Sequence, residues 1–349
     1  MATDRTDRGA EGENTNGSAT AVDDTDGKSE SVPHPAFAAY ADESVPGATV
    51  GAPGKDGRLE LRFGVDRDGD TNLVRDLARA PFHVSGTLGH DPHPRGETVY
   101  VQSPSEGVAQ GDRRSVTVEV GAEAVAHVST QSSTKVLSMG HNYAESDITL
   151  SVGADAHLDY VPAPTILHGD ARYHEALTVE LAPSATAVVG EVVVPGRLAR
   201  GERFEFERYL SEFQARSDGD LLAADATHLA PGESDPTAPG VLGEFTVLGT
   251  LYVLAPGGER GELSDRLHAV VADEERAGAA DDADHGGADD ERRNDDTVRA
   301  GATALPNDAG VAVRALGHRA ETVTGTLHDA WDEARTALLG VGAPDPRRL

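Results

Sequence analysis

The feature that most constrains the fold is a strand–turn–strand unit that occurs three times in the middle of the chain. The three copies are VEVGAEAVAHVST (118–130), LSVGADAHLDYVP (150–162) and VELAPSATAVVGEVV (179–193). The equivalent residues Val120, Val152 and Leu181 are 32 and 29 residues apart. Because a repeat of about 30 residues is typical of stacked structural layers, we predict an all-β fold with a superhelical, solenoid-like arrangement. Three imperfect copies leave an ordinary β-sandwich open as the alternative.

Period-2 alternation supports these strands, and one helix is expected near the end of the chain. Apolar and polar residues alternate in SVTVEV (115–120), ITLSV (148–152) and LTVEL (177–181), which is the pattern of half-buried strands. Further strands are predicted at 58–65, 97–102, 203–216, 243–256 and 310–317. A C-terminal helix is predicted over 318–340, where apolar residues recur at helical spacing and Gly340 provides a stop. Its apolar face comprises Val323, Leu327, Trp331, Ala334 and Leu338.

Two acidic segments carry too few large apolar residues to join a core. They are residues 1–30 and about 272–300. Because neither segment can bury enough apolar surface to offset the entropy lost on ordering, we predict that both are disordered. The rest of the chain is then a single domain, 31–349, with the second segment as an insertion.

The charge balance excludes several classes of partner. The chain has 60 acidic and 30 basic residues, a net charge of −30, and only three lysines, Lys28, Lys55 and Lys135. Such a surface repels nucleic acid and is typical of proteins adapted to high salt, where screening weakens self-repulsion. There is no cysteine, so thiolate chemistry is absent. No apolar run is long enough to span a membrane or to form a signal peptide, so we expect a soluble cytoplasmic protein.

Catalytic signatures for phosphate binding, dinucleotide binding and common hydrolases are absent, and no catalytic residue or tightly bound cofactor is predicted. Two histidine clusters remain. The loop GHDPHPRG (89–96) contains His90, Asp91 and His93, which suit a metal but fit a solvent-exposed turn better.

The segment LHGDARYHE (167–175) contains the second cluster, His168, Asp170 and His174. If a strand runs through this segment, Tyr173 and Glu175 share a face and His174 points the opposite way. A strand-connecting turn is therefore favoured. The alternative is a metal-dependent hydrolase that uses this cluster or the 89–96 loop.

Two acidic residues stand on otherwise apolar stretches, Glu191 in VVGEVVVPGR and Glu202 in ARGERFEFE. A carboxylate in apolar surroundings needs a hydrogen-bonding partner or takes a raised pKa. Arg197 and Arg200 are candidate partners of Glu191. A structural ion pair and a functional role remain equally open.

At the level of motifs, the run SEGVAQGDRRSVTVEVGAEAVAHVSTQSSTKVL (105–137) resembles the signature of the UreD urease accessory proteins. The matching positions are Gly107-Val108, Gly111-Asp112 and the segment STQSSTKV (129–136). The block GEVVVPGRLARGERFEF and the segment LDYVPAPTI also resemble that family, and the similarity covers roughly residues 57–340. His168 stands where the family usually has an aromatic residue.

This resemblance implies a function that no single motif predicts. UreD proteins are nonenzymatic scaffolds of mainly β structure that bind UreF, which recruits the GTPase UreG, and that contact apo-urease during nickel delivery. Nickel is then a transferred cargo that passes weak sites in series. On that basis the expected path residues are Asp112, Glu191 and Glu202, with Gln131, Lys135 and Arg197 as structural or path-lining residues. A surface-interaction protein without a metal role is the third possibility.

Overall fold

The computed structural model describes residues 34–45, 53–104, 107–258, 260–281 and 297–345. The strands are β1 Asp56–Val65, β2 Thr71–Arg79, β3 His83–Leu88, β4 Gly96–Gln102, β5 Arg113–Val120, β6 Val125–Thr130, β7 Thr134–Val136, β8 Ala144–Val152, β9 His157–Tyr160, β10 Thr165–Leu167, β11 Arg172–Leu181, β12 Thr186–Val194, β13 Arg208–Ser217, β14 Asp220–Leu229, β15 Val247–Leu254, β16 Val298–Ala304 and β17 Gly310–Gly317. The α-helices of these ranges are α1 Ala38–Ala41, α2 Arg260–Asp281 and α3 Ala320–Leu339.

Two sheets face each other and form the body of the protein. The seven-stranded sheet has the order β14-β13-β11-β8-β5-β1-β2, and its five inner strands are parallel. The ten-stranded sheet follows β16-β17-β15-β12-β9-β6-β4-β3, with β7 and β10 on a side branch. The chain passes from β5 to β6, from β8 to β9 and from β11 to β12, so each coil adds one strand to each sheet. The predicted all-β, solenoid-like stacking is confirmed.

Residues at equivalent positions of successive coils lie side by side and form rows across the sheet. Val120 pairs with Val152, and Val152 pairs with Leu181, so the 32- and 29-residue spacings read from the sequence are those of one coil. In the next inward-facing row, Val118 pairs with Leu150, and neither side chain has exposed surface. Burying a side chain of this kind contributes about 1.5–3 kcal/mol, and the rows form the core between the sheets.

Helix α3 covers the outer face of the ten-stranded sheet. Val323 and Leu327 lie so close to Gly249 of β15 that a Cβ atom there would meet their side-chain atoms at 2.6 and 2.7 Å. The helix ends at Leu339, and Gly340 follows with a φ of 74° as a left-handed cap. The predicted C-terminal helix is therefore confirmed, together with its buried face and its glycine stop.

Several boundaries differ from the sequence expectation. Helix α2 was not predicted and extends into the start of the 272–300 segment, while β16 begins at its end. Residues 282–296 lie outside the described residues, as does the whole predicted disordered segment 1–30. The strands expected at 203–216 and 243–256 are confined to β13 and β15. Within the described ranges, no helix is both long and apolar enough to cross a membrane.

Candidate functional site: a polar cavity between the sheets

A cavity of about 60 Å³ lies between the two sheets, which is room for only a few water molecules. Its apolar wall includes Ile148 and Leu177, but two carboxyl groups, Glu175 of β11 and Glu191 of β12, also line it. Both positions follow from period-2 alternation. Glu175 shares the inward face of β11 with Leu177, and Glu191 continues the inward face of β12 after Val189. The cavity is thus an acidic gap in an apolar core.

Glu191 is held by a tyrosine and not by an arginine. The Tyr209 hydroxyl of β13 donates a hydrogen bond to Glu191 Oε1. Burial, and then the nearby negative charge of Glu175, raise the pKa of Glu191 to about 7. The candidate partner Arg197 lies elsewhere, bound to Glu202. Glu191 therefore carries a proton in part of the molecules at neutral pH, and a cation entering the cavity would compete with that proton.

Glu175 lies beside a second set of polar groups. The Tyr173 hydroxyl is 2.8 Å from Glu175 Oε2 and 2.7 Å from the Ser146 hydroxyl. Burial raises the pKa of Glu175, and the Tyr173 hydroxyl and the positive charge of Arg114 oppose part of that effect. Arg114 also lines the cavity, and its Nε has no hydrogen-bond partner among the described residues. The cavity wall thus offers carboxylate and hydroxyl oxygens, the ligands that divalent cations accept.

A larger groove of about 580 Å³ borders the cavity on the outer side of the ten-stranded sheet. Glu191 belongs to the wall of both spaces, as do Thr130 and the segment Pro162–Ala163. The groove runs between that segment and the first half of α3. Glu191 therefore lies in the wall between the interior cavity and the open groove.

The other predicted path acids have structural partners. Asp112 is 1 % exposed, and its two carboxylate oxygens accept the backbone N–H groups of Lys55 (2.8 Å) and Ala109 (2.9 Å). Glu202 accepts the Gly169 N–H at 2.8 Å and the Arg197 Nε–H at 2.8 Å. The Arg197 hydrogen bond holds the pKa of Glu202 below its usual range. Neither acid belongs to the cavity wall, and Arg197 has the role of an ion-pair partner.

The sequence motif at residues 129–136 lines the cavity with its threonines and not with the predicted Gln131 and Lys135. Gln131 and Lys135 are exposed, whereas Thr130 and Thr134 line the cavity. The Lys135 carbonyl accepts the Val108 N–H at 2.8 Å, so this part of the motif acts through its backbone.

The two histidine clusters do not form metal sites of the predicted kind. His168 lies in the turn after β10, while His174 lies on the outer face of β11 between Glu145 (3.3 Å) and Glu212 (2.9 Å). The interpretation of 167–175 as a strand-connecting turn is confirmed. Across the described ranges, no three His, Asp or Glu side chains are grouped so as to hold a metal ion.

The loop 89–96 has a role that sequence reasoning missed. The Asp91 side chain is fully buried and is not solvated as expected, because Arg335 of α3 donates to both of its oxygens, at 3.0 and 2.6 Å. Arg335 also donates to Asp159 of β9 at 2.7 Å, and the Trp331 indole donates to the same carboxylate at 2.6 Å. Burial lowers the pKa of the adjacent His127 to about 4, so that ring is neutral. The hydrogen bonds of Arg335 and Trp331 to Asp91 and Asp159 therefore attach α3 and the loop to the sheet.

Comparison with known proteins gives a consistent result over nearly the whole chain. A family model described as UreD urease accessory protein matches residues 55–348. A urease accessory protein UreD of Haloarcula marismortui is 63% identical over 316 residues, which cover 90% of this chain and 98% of that protein. The UreD of Natronomonas pharaonis is 46% identical, with 90% and 98% covered. A protein of Streptomyces griseus named urease accessory protein UreD 2 is 32% identical, with 85% and 95% covered.

Proposed function

Since the chain belongs to the UreD family of urease accessory proteins, we propose that it is a nonenzymatic maturation factor that passes nickel toward apo-urease in the cytoplasm. It acts in a complex with UreF, and through UreF with the GTPase UreG. Nickel is the cargo of this process and not a resident cofactor.

The observation that carries the proposal is the pair Glu175 and Glu191 in the cavity between the sheets. Two carboxyl groups in an apolar interior are costly unless they are protonated or compensated by a cation. A dication passing through would meet oxygen ligands from these carboxylates and from neighbouring hydroxyl groups. The set is too small to saturate the ion, and weak binding is what transit requires.

The position of Glu191 supports passage of nickel through the cavity rather than its storage there. Because this residue borders both the cavity and the outer groove, an ion bound there has a short distance to travel between them. Asp112 and Glu202 are proposed as less direct contributors, since their oxygens already bind backbone amides or Arg197. Gln131 and Lys135 are proposed as structural members of the motif.

Two other functions make different predictions. A metal-dependent hydrolase would keep stoichiometric metal through dialysis, and His168, Asp170 and His174 offer it no grouped ligand set within the described residues. A pure interaction scaffold would still activate urease after the cavity carboxylates had been neutralised. The conduit instead binds nickel weakly by itself and loses activity when those groups are removed.

The test of the maturation role is deletion of the gene in a strain that produces the urease subunits. We expect normal subunit levels, urease without nickel, and recovery of both nickel content and activity when the intact gene is supplied. Urease that is fully loaded with nickel in the deletion strain would contradict the proposal.

A further inference from the structure

A row of polar side chains crosses the inner face of the seven-stranded sheet. Arg114 of β5 pairs with Ser146 of β8, and Ser146 pairs with Glu175 of β11. Ser211 of β13 continues the row beside Glu175, and all four side chains line the interior cavity. The next inward-facing row is entirely apolar and consists of Val116, Ile148, Leu177 and Phe213. Arg114 therefore brings a positive charge to the cavity that contains the two carboxyl groups.

The half-buried Arg114 side chain lacks the ion pair that an arginine in such a position normally has. Its neighbour Arg113 lies 3.5 Å from Glu145, whereas Arg114 forms no ion pair with any residue that the structure describes, and its Nε has no hydrogen-bond partner there. The guanidinium instead lies over the ring of Phe82, 4.8 Å from the ring centre. An aromatic ring attracts the cation without cancelling its charge, so the charge still acts on the cavity.

The charge of Arg114 acts on three groups around it. Burial raises the pKa values of Glu175, Tyr160 and Tyr173, and in each case the positive charge of Arg114 opposes part of that rise. The potential that favours the ionised form of Glu175 also disfavours a second cation at the same place. Arg114 thus makes the carboxylate available and at the same time weakens the binding of a metal ion to it.

We propose that Arg114 sets the affinity of the cavity for a divalent cation and keeps it low enough for the ion to leave. The inference rests on the proposed passage of nickel through the cavity. Glu175 and Glu191 attract the ion, and the guanidinium on Phe82 repels it. Without that repulsion, two carboxylates in an apolar interior would hold a dication, and transfer would slow.

The size of the effect follows from the spacing of the strands. Neighbouring strands are about 4.8 Å apart, so Arg114 and Glu175, two strands apart in one row, have backbones roughly 10 Å apart. With an effective dielectric constant of about 20, repulsion between a guanidinium and a dication at that distance changes a binding constant by about 100-fold. Because salt screens part of this repulsion, we expect a change of at least about tenfold.

The experiment measures nickel binding to the isolated protein by titration calorimetry. Binding to the acidic surface is subtracted with the variant Glu175→Gln plus Glu191→Gln. We expect Arg114→Met to bind nickel at least about tenfold more tightly than the unaltered chain, and Arg114→Lys, which keeps the charge, to retain weak binding. Adding Glu175→Gln to Arg114→Met should remove the gain. Arg67→Met, on the exposed β1–β2 turn, is the control for loss of a surface arginine.

The direction of the change separates an electrostatic role from a structural one. If Arg114 only supports Phe82, its removal loosens the cavity wall and nickel affinity falls or stays the same, which would overturn the proposal. Arg114→Gln provides a second neutral variant if thermal unfolding shows that Arg114→Met folds poorly, and the same gain in affinity is expected from it.

A measurement in the deletion strain distinguishes this inference from the function on which it rests. Arg114→Met should load urease with nickel more slowly than Arg114→Lys. Unchanged nickel affinity in Arg114→Met, together with a loss of loading in the double carboxylate variant, would overturn the role of Arg114 alone. Normal loading in the double carboxylate variant would overturn passage through the cavity, and the affinity argument with it.

Discussion

Replacement of Arg335 by methionine is the perturbation with the most definite energetic consequence. Arg335 has no exposed side-chain surface, and its guanidinium donates to Asp91 and Asp159, which are equally buried. Methionine keeps much of the aliphatic stem but removes the charge. The substitution therefore leaves two carboxylates in the interior without their cation.

The expected cost follows from the hydrogen bonds that the substitution removes. Removal of one partner of a buried ion pair costs about 3–5 kcal/mol. Arg335 makes three hydrogen bonds of 3.0, 2.7 and 2.6 Å to two carboxylates, so we expect a loss of about 4–5 kcal/mol in the free energy of unfolding. Adding Asp91→Asn removes one stranded charge, and about 2 kcal/mol should return.

The measurement is urea unfolding at constant salt, followed by Trp331 fluorescence and by circular dichroism. With a slope of about 3 kcal/mol per molar urea, the midpoint should fall by about 1–2 M. Arg67→Met is the matched control, because Arg67 is exposed in the β1–β2 turn, and it should change stability by less than about 0.5 kcal/mol. A loss below about 1 kcal/mol for Arg335→Met, or no recovery with Asp91→Asn, would refute the reasoning.

Two further predictions concern backbone conformation and pH. Gly107→Ala should lower the free energy of unfolding by about 1–3 kcal/mol, because Gly107 has a φ of 147° and a Cβ there would lie 2.4 Å from a carbonyl oxygen. The control is Gly219→Ala, where φ is 86° and the space around the Cβ position is open. Thermal unfolding of both variants should show the smaller loss of stability for Gly219→Ala. Burial lowers the pKa of His174, but hydrogen bonds with Glu145 and Glu212 outweigh this effect and raise it above its ordinary value. The stabilisation from His174 should therefore be complete below about pH 6.5 and be lost as the pH rises through the raised value. His174→Gln should remove this part of the pH dependence of stability, and an unchanged profile would contradict the assignment.

The periodic parts of the fold could be predicted from the sequence, because stacked coils repeat one local pattern. The spacing of Val120, Val152 and Leu181 gave the register between coils, and alternation placed Glu175 and His174 on opposite faces of β11. Helix α2 was missed because its buried stripe has only one buried residue per turn among the described side chains, namely Leu263, Leu267 and Val271.

The partners of buried charges could not be predicted, since alternation fixes the face of a residue but not its neighbour on another strand. Arginines near in sequence were considered for Glu191, yet its partner is Tyr209 on β13. Asp91 and Arg335 are 244 residues apart. The sequence does contain a signal that Arg335 is buried. It follows Leu327 and Trp331 at four-residue spacing on the apolar face of α3, and a buried arginine needs an acidic partner.

The central claim is that the cavity carboxylates carry nickel toward urease, and nickel content per urease tests it most directly. Glu175→Gln, Glu191→Gln and the double variant are supplied to the deletion strain, and urease is purified and assayed for bound nickel. Glu180→Gln is the matched control, because Glu180 lies on β11 outside the cavity wall. Complex formation with UreF is measured in parallel by co-purification. We predict a large loss of nickel in the double variant with complex formation intact, and normal nickel for the control. Fully loaded urease with both carboxylates neutralised would contradict the claim.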